Sequence, residues 1–300
     1  MNGIIPLWKP IGLTSHDCVL KLRRLYGTKK VGHTGTLDPE VEGVLPICIG
    51  QATKIVPYLT DTTKTYRAEV TLGIETDTED QTGKIISQQS VETPVNEESV
   101  REVLSSFKGE IKQITPLYSA VKVDGKKLYQ YARENIEVKR PIRHVKVWSI
   151  HYIENSLNTH PSTQTFSFEA CVSKGTYIRT LAKDIGKALG YPAHMSHLVR
   201  IKTADFDETN SLTLEELNVY KEKGQLEDTL LPIEAGLTHL ATHEVTESEK
   251  NRIVYGQKLN RPLEWKENVV YKMTYCDQLL ALYHIHPDKK DQIKPVKVFN

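Results

Sequence analysis

Phe166-Ser167-Phe168-Glu169-Ala170-Cys171-Val172-Ser173-Lys174-Gly175-Thr176-Tyr177-Ile178-Arg179-Thr180-Leu181-Ala182-Lys183-Asp184-Ile185 reads as strand, turn and helix in one run. Phe166, Phe168, Ala170 and Val172 alternate with Ser167, Glu169 and Cys171, the period of a strand with one buried face. Ser173-Lys174-Gly175 supplies a turn, and Thr176 is placed to cap a helix. Ile178, Leu181, Ala182, Ile185 and Leu189 then recur at helical spacing up to Gly190. Arg179 sits in the first turn of that helix, where a cation opposes the positive end of the macrodipole, so a nearby carboxylate partner is expected.

The same alternation of strand and helix extends in both directions. Tyr66, Ala68, Val70 and Leu72 alternate with Arg67, Glu69 and Thr71, which puts Tyr66 on the apolar side of a second strand. Thr14 or Ser15 can cap a helix carrying Val19, Leu22 and Leu25, and Asn96 can cap another carrying Val100, Val103, Leu104 and Phe107. Thr213-x-x-Glu216 and Thr246-x-x-Glu249 are capping boxes of later helices. An acidic linker ends near Gly236, and beyond it short apolar runs (Tyr271 to Tyr275, Leu279 to Ile285, Val296 to Phe299) predict a small β-rich unit over residues 237–300.

Composition narrows the function classes. With 300 residues, 39% of them hydrophobic, the chain can bury a sizeable core and carry a second, smaller unit. Its first ten residues have no basic leader and only a short apolar run broken by Pro6, so a cytoplasmic protein with no membrane segment is expected. Cys18, Cys48, Cys171 and Cys276 form no C-x-x-C pair, which argues against a disulfide framework or a structural zinc. The net charge of +1 conceals segregation. Lys108 to Lys146 holds ten bases against four acids and Lys174 to Lys202 six against one, whereas Asp205 to Glu234 holds nine acids against two bases. Such a distribution lets one face meet a phosphate backbone while another stays clear of it. Within the basic part, Val121 to Arg143 interleaves Lys122, Lys126, Lys127, Arg133, Lys139, Arg140 and Arg143 with Tyr129 and Tyr131. That mixture suits a grip on RNA through phosphates and stacking.

Gly32-His33-Thr34-Gly35-Thr36-Leu37-Asp38-Pro39 lacks the Gly-Lys-Ser/Thr ending of a P-loop, so phosphate-cradling NTPase chemistry is not predicted. Its distinctive residue is Asp38. Pro39 steers it toward extended geometry, and a carboxylate on a glycine-flanked loop can be presented to a substrate. Asp77 to Gly83 resembles a calcium loop but has a displaced glycine and Gln88 at the twelfth position, so a solvated acidic turn is expected there. His194 and His197 stand three apart without a helical Glu motif and predict no metal site.

Taken together, Gly3 to Gly12, His33 to Pro39, Gly43 to Lys54, Lys64 to Arg67, Pro116 to Lys122, Gly125 to Arg133 and Ser173 to Thr180 resemble, in order and spacing, the bacterial tRNA pseudouridine synthase B family. The resemblance spans nearly the whole chain. It implies an α/β (α+β) catalytic domain over 1–236 built on a mixed, mainly antiparallel sheet flanked by helices. A thumb insertion at about 121–143 and a C-terminal PUA-like domain over 237–300 complete that plan. The activity implied is isomerisation of uridine 55 in the T-arm of tRNA, with no cofactor or metal, by a monomer that requires no protein partner. By the same resemblance Asp38 is the catalytic carboxylate, Arg179 is salt-bridged to it and Tyr66 stacks on the flipped base. His33, Tyr177, Leu198 and Lys9 match pocket positions, and Lys126 and Lys127 belong to the RNA grip. Glu40 and Glu42 depart from the smaller or less acidic residues expected after Asp38-Pro39. A catalytically idle tRNA-binding or tRNA-folding protein, or a synthase for a uridine in another RNA, would share most of these features.

Overall fold

The computed structural model describes residues 1–299. Its frame is a mixed sheet whose principal strands run, edge to edge, Gly3–Lys9, Glu42–Ile49, Ala193–Thr203, Lys64–Leu72, Gln164–Val172, Ile142–Tyr152 and Gly109–Ile114. All of these neighbours are antiparallel except Glu42–Ile49 with Ala193–Thr203, a short parallel pairing at Val199 with Glu42 and Arg200 with Gly43. That junction requires glycine: Gly43 has φ +117°, and a Cβ there would lie 2.2 Å from the Arg200 carbonyl oxygen. The sheet is therefore mixed and mainly antiparallel, as the resemblance implied.

One sheet face is covered by helices whose apolar stripes were visible in the sequence. Helix Ile178–Ala188 buries Ile178, Leu181, Ala182 and Ile185, and packs on strands Ala193–Thr203 and Lys64–Leu72. Helix Glu97–Ser106 buries Val100 and Leu104 and lies against Ile142–Tyr152. Helix Ser15–Leu25 buries Cys18, Val19 and Leu22 and starts in a capping box between Thr14 and Asp17. Both later capping boxes also form, at Thr213 with Glu216 and at Thr246 with Glu249. Thr176 does not cap its helix. Its hydroxyl closes the preceding turn on the Ser173 carbonyl at 2.9 Å, while the Gln113 side chain accepts from the Tyr177 amide at 3.0 Å and donates to the Tyr177 carbonyl at 3.2 Å. A strand glutamine thus fixes the backbone of the residue that precedes the helix.

The last part of the chain forms a second, five-stranded sheet from Ala241–Glu244, Leu259–Asn260, Tyr271–Tyr275, Gln278–Ile285 and Gln292–Val298. It has its own apolar cluster around Trp265, Tyr271, Met273 and Tyr283. A separate cluster joins it to the main sheet, with Ile4, Val44, Cys48 and Ile55 on one side and Leu279 and Leu282 on the other. Burying such a shared layer favours one relative placement of the two sheets, since apolar area removed from water contributes about 25 cal/mol per Å². Among the described residues no helix is long and apolar enough to cross a membrane.

Candidate active site

The loop bearing Asp38 is pinned from three directions. The Leu37 amide donates to Ser15 Oγ at 2.8 Å, tying the loop to the start of helix Ser15–Leu25. The Gly12 amide donates to the Pro39 carbonyl at 2.9 Å, and Thr34 bonds twice to the Pro46 carbonyl through its amide and hydroxyl. Lys9, fully buried, directs its ammonium to the carbonyls of Pro10, Leu13 and Pro39 at 2.9, 2.6 and 3.3 Å. Burial lowers its pKa. Lys9 therefore clamps the backbone around Asp38 and does not line the cleft.

Asp38 projects from this loop with half of its side chain exposed, and Oδ2 lies 3.3 Å from a terminal nitrogen of Arg179. Arg179 is the buried partner, 10% exposed. Its other contacts are the Thr78 carbonyl at 3.0 Å, the Tyr118 carbonyl at 3.1 Å and Asp80 Oδ2 at 3.4 Å. The carboxylate expected from the cation's first-turn position is present, and a second one accompanies it. Asp80 is itself fixed, accepting from the Thr78 hydroxyl and from both the amide and the hydroxyl of Thr82. A planar guanidinium held between two carboxylates and two carbonyls has little freedom to turn.

Asp77 to Gly83 is accordingly no solvated turn. Glu79 is 4% exposed and accepts from the Thr180 hydroxyl at 2.6 Å, with Lys183 at 3.5 Å and Arg140 at 3.9 Å. Glu79 and Asp80 place negative charge at the N-terminal end of helix Ile178–Ala188, which offsets the cost of Arg179 there. The conflict behind them is visible at Asp184, whose carboxyl is pushed up to about 6 by burial and by Glu79.

Asp38, Tyr66, Arg179, Tyr177 and Leu198 meet around one cleft of about 500 Å³, within the roughly 300–1,000 Å³ typical of small-ligand sites. Tyr66 enters from the central strand between Ala170 and Arg200, and Tyr129 enters from the basic segment. An adjoining cleft of about 700 Å³ shares Asp38, Arg179, Tyr129 and Leu198 and has exposed Glu40 on its wall; Glu42 instead begins a strand. His33 does not line the 500 Å³ cleft. It ends the short strand Val31–His33, its Nδ1 accepts from the Gly35 amide at 3.4 Å, and burial and Arg200 lower its pKa, leaving the ring neutral at physiological pH.

The basic segment forms a hairpin, Lys122–Val123 with Lys126–Lys127, then helix Leu128–Arg133; its last residues already belong to strand Ile142–Tyr152. Lys126 pairs with Glu134 and lies 4.9 Å from the Tyr131 ring centroid, and Lys127 lies 5.6 Å from that of Tyr129. Two buried cleft cations escaped the sequence reading. Lys64 donates to the carbonyls of Leu59, Thr60 and Thr62, and burial drives its pKa down to about 8. Arg200 donates to the Val44 and Gly35 carbonyls at 2.7 and 3.3 Å. Arg200 is satisfied by backbone oxygens 156 and 165 residues away, so no local pattern could have flagged it, whereas the Lys64 acceptors lie two to five residues before it, two of them in the short helix Val56–Thr60.

A carboxylate oriented by a buried arginine beside aromatic walls defines an enzyme site for a substrate with a flat ring. The family of "TruB family pseudouridylate synthase (N terminal domain)" proteins matches residues 23–178, and a "tRNA pseudouridylate synthase B C-terminal domain" matches 179–238. The chain belongs to the TruB family of pseudouridylate synthases. Proteins called tRNA pseudouridine synthase B from Oceanobacillus iheyensis and Bacillus subtilis are 53% and 48% identical to it, over 100% and 99% of this chain and 98% and 97% of theirs. Among solved structures, one chain of a Cbf5-Nop10-Gar1 complex is 30% identical with a TM-score of 0.74, covering 99% of this chain and 83% of that one.

Proposed function

We propose that this protein isomerises uridine 55 in the T-loop of tRNA to pseudouridine, with Asp38 as the catalytic carboxylate. The observation that carries the reading is the Asp38–Arg179 pair at a cleft that also holds Tyr66. The reaction must break the bond from N1 to C1′, turn the uracil and join C5 to C1′. A carboxylate beside the ribose can serve as nucleophile or assist elimination. Either role needs Asp38 aimed, and Arg179, anchored by Asp80 and two carbonyls, aims it.

The uridine must first leave its stack, at a cost of about a few kcal/mol, and an aromatic surface repays part of it. Tyr66 is placed to stack on the flipped base, with Leu198 and Tyr177 closing the pocket around it. His33 fills space near the stack that the base vacates, and Lys9 acts on the substrate only through the loop it clamps. Lys126 and Lys127 contact the T-arm backbone from the thumb. Residues 1–236 carry the chemistry, and 237–300, a PUA-like unit, add RNA contacts. The protein works as a monomer in the cytoplasm, without cofactor or protein partner.

Incubating unmodified tRNA with the protein and mapping pseudouridine by position tests this directly. The expected result is a single new pseudouridine at position 55. Modification confined to another RNA, or an unmodified T-arm, would overturn the assignment.

A further inference from the structure

Most basic side chains near the cleft are already partnered within the chain: Lys126 by Glu134, Lys174 by Asp61, Lys183 by Glu75, Arg179 by Asp38 and Asp80. Helix Ser15–Leu25 differs. Lys21 to Lys30 contains Lys21, Arg23, Arg24, Lys29 and Lys30 and no acid. Lys21 and Arg24 line one side of a groove of about 290 Å³, and Asn218 and Lys221 of helix Leu214–Glu222 line the other, above an apolar floor that includes Leu25. Lys21, Arg24 and Lys221 are exposed, and none has a carboxylate within 4.0 Å among the described residues, although Glu215 lies on the same wall as Lys221.

We propose that this groove is a second phosphate-binding surface, which takes the backbone of a part of the RNA lying outside the Asp38 cleft. The inference rests on the RNA substrate proposed above. The position of Arg24 and Lys221 in the last turns of their helices accounts for a cation at each site, because the C-terminal end of the macrodipole favours one. It does not account for their convergence with mid-helix Lys21 from two helices on one concavity, where the mutual repulsion of three cations is only partly offset by Glu215 and by Asp17, which interacts with Lys21. An anion seated there relieves that repulsion, and a polyanion is the anion that the substrate brings. The helix also fixes the spacing. Ser15 hydrogen-bonds Leu37 of the Asp38 loop, so Lys21 and Arg24 lie roughly 9 and 14 Å further along the axis.

The test compares whole tRNA with an isolated T-arm stem-loop, both titrated against the full-length protein over a range of salt. The variants are the triple Lys21→Gln, Arg24→Gln, Lys221→Gln and the single Lys221→Glu, with thermal melting as a check on folding. The expected result for the triple variant is whole-tRNA affinity reduced about tenfold or more at low salt. The log-log salt slope should become shallower by about two to three, at 0.9 per phosphate contact. Stem-loop affinity and turnover at saturating tRNA should stay at the native level, and Lys221→Glu should weaken whole tRNA alone to a smaller degree. Unchanged affinity and slope for whole tRNA would overturn the groove, as would an equal loss for the stem-loop, which would mark a general field effect. Native protein that binds neither RNA would instead sink the substrate reading, and the groove with it.

Discussion

Arg179 and Lys126 each meet a carboxylate of their own chain, yet the two regions around them are built for opposite purposes. Arg179 is 10% exposed and its polar partners come from three separate segments, at Asp38, at Thr78 and Asp80, and at Tyr118. Lys126 is 29% exposed, and both its carboxylate, Glu134, and its aromatic neighbour, Tyr131, lie within eight residues. The first arrangement is over-determined by long-range contacts and holds one geometry before any substrate arrives. The second is local and partly solvated, so it can exchange an internal partner for a phosphate at little cost. Chemistry needs the former, since misplacing a reacting group by about 1 Å can cost a hundredfold in rate. Gripping an irregular RNA surface needs the latter.

The comparison breaks most visibly at Arg179. Arg179→Lys keeps the charge but loses the planar fork that joins Asp38 to Asp80, and turnover should fall about a hundredfold or more while tRNA affinity stays within about threefold. Single-turnover kinetics with a parallel binding titration would read this, and a loss carried mainly in affinity would show that Arg179 binds RNA and does not orient Asp38.

Lys64 offers a pH handle on the same cleft. Its pKa of about 8 lies below the ordinary lysine value of 10.5, so it is protonated below pH 8 and neutral above. Turnover should therefore decline as pH rises through about 8, as the charge beside the cleft is lost. In Lys64→Arg, which stays charged, the decline should vanish. A pH–rate profile that is the same in both proteins would remove Lys64 from the account.

Smaller effects belong to the thumb. Lys127→Ala should weaken tRNA binding a fewfold and reduce the salt slope by about one, and Lys126→Ala should do less because Glu134 already neutralises it. Equal effects of the two would mean that the Glu134 pair dissolves in the complex. The smallest change concerns stability. Between about pH 4 and 6 folded Asp184 holds a proton that the unfolded chain has lost, so its contribution turns unfavourable as pH rises through that window. Asp184→Asn should raise stability by about 1–2 kcal/mol at pH 8 and leave it unchanged at pH 4, measured by denaturant unfolding at both.

What could be read in advance follows the same division between local and long-range causes. The strand Gln164–Val172, the Asn96 cap and both later capping boxes were legible because period-two alternation and i to i+3 capping depend only on neighbours. Arg179 was legible as an anomaly, since the macrodipole objects to a first-turn cation whatever the tertiary fold. Asp80 was not, because Asp77 to Gly83 looks like a solvated turn until Thr180 and Lys183, about a hundred residues later, close over Glu79, which adopts φ 65°. Lys9 was legible as a residue beside the loop, but the three carbonyls that its ammonium meets, at Pro10, Leu13 and Pro39, depend on how the loop folds back over it.

The central claim is that the Asp38 carboxylate, oriented by Arg179, performs the isomerisation. Joining C5 to C1′ expels the C5 hydrogen, so tRNA tritiated at uridine C5 reports the reaction as tritium released to water. Native protein should release label in proportion to tRNA, and Asp38→Asn should bind that tRNA with near-native affinity yet release none above background. Undiminished release by Asp38→Asn, or none from the native protein, would contradict the account.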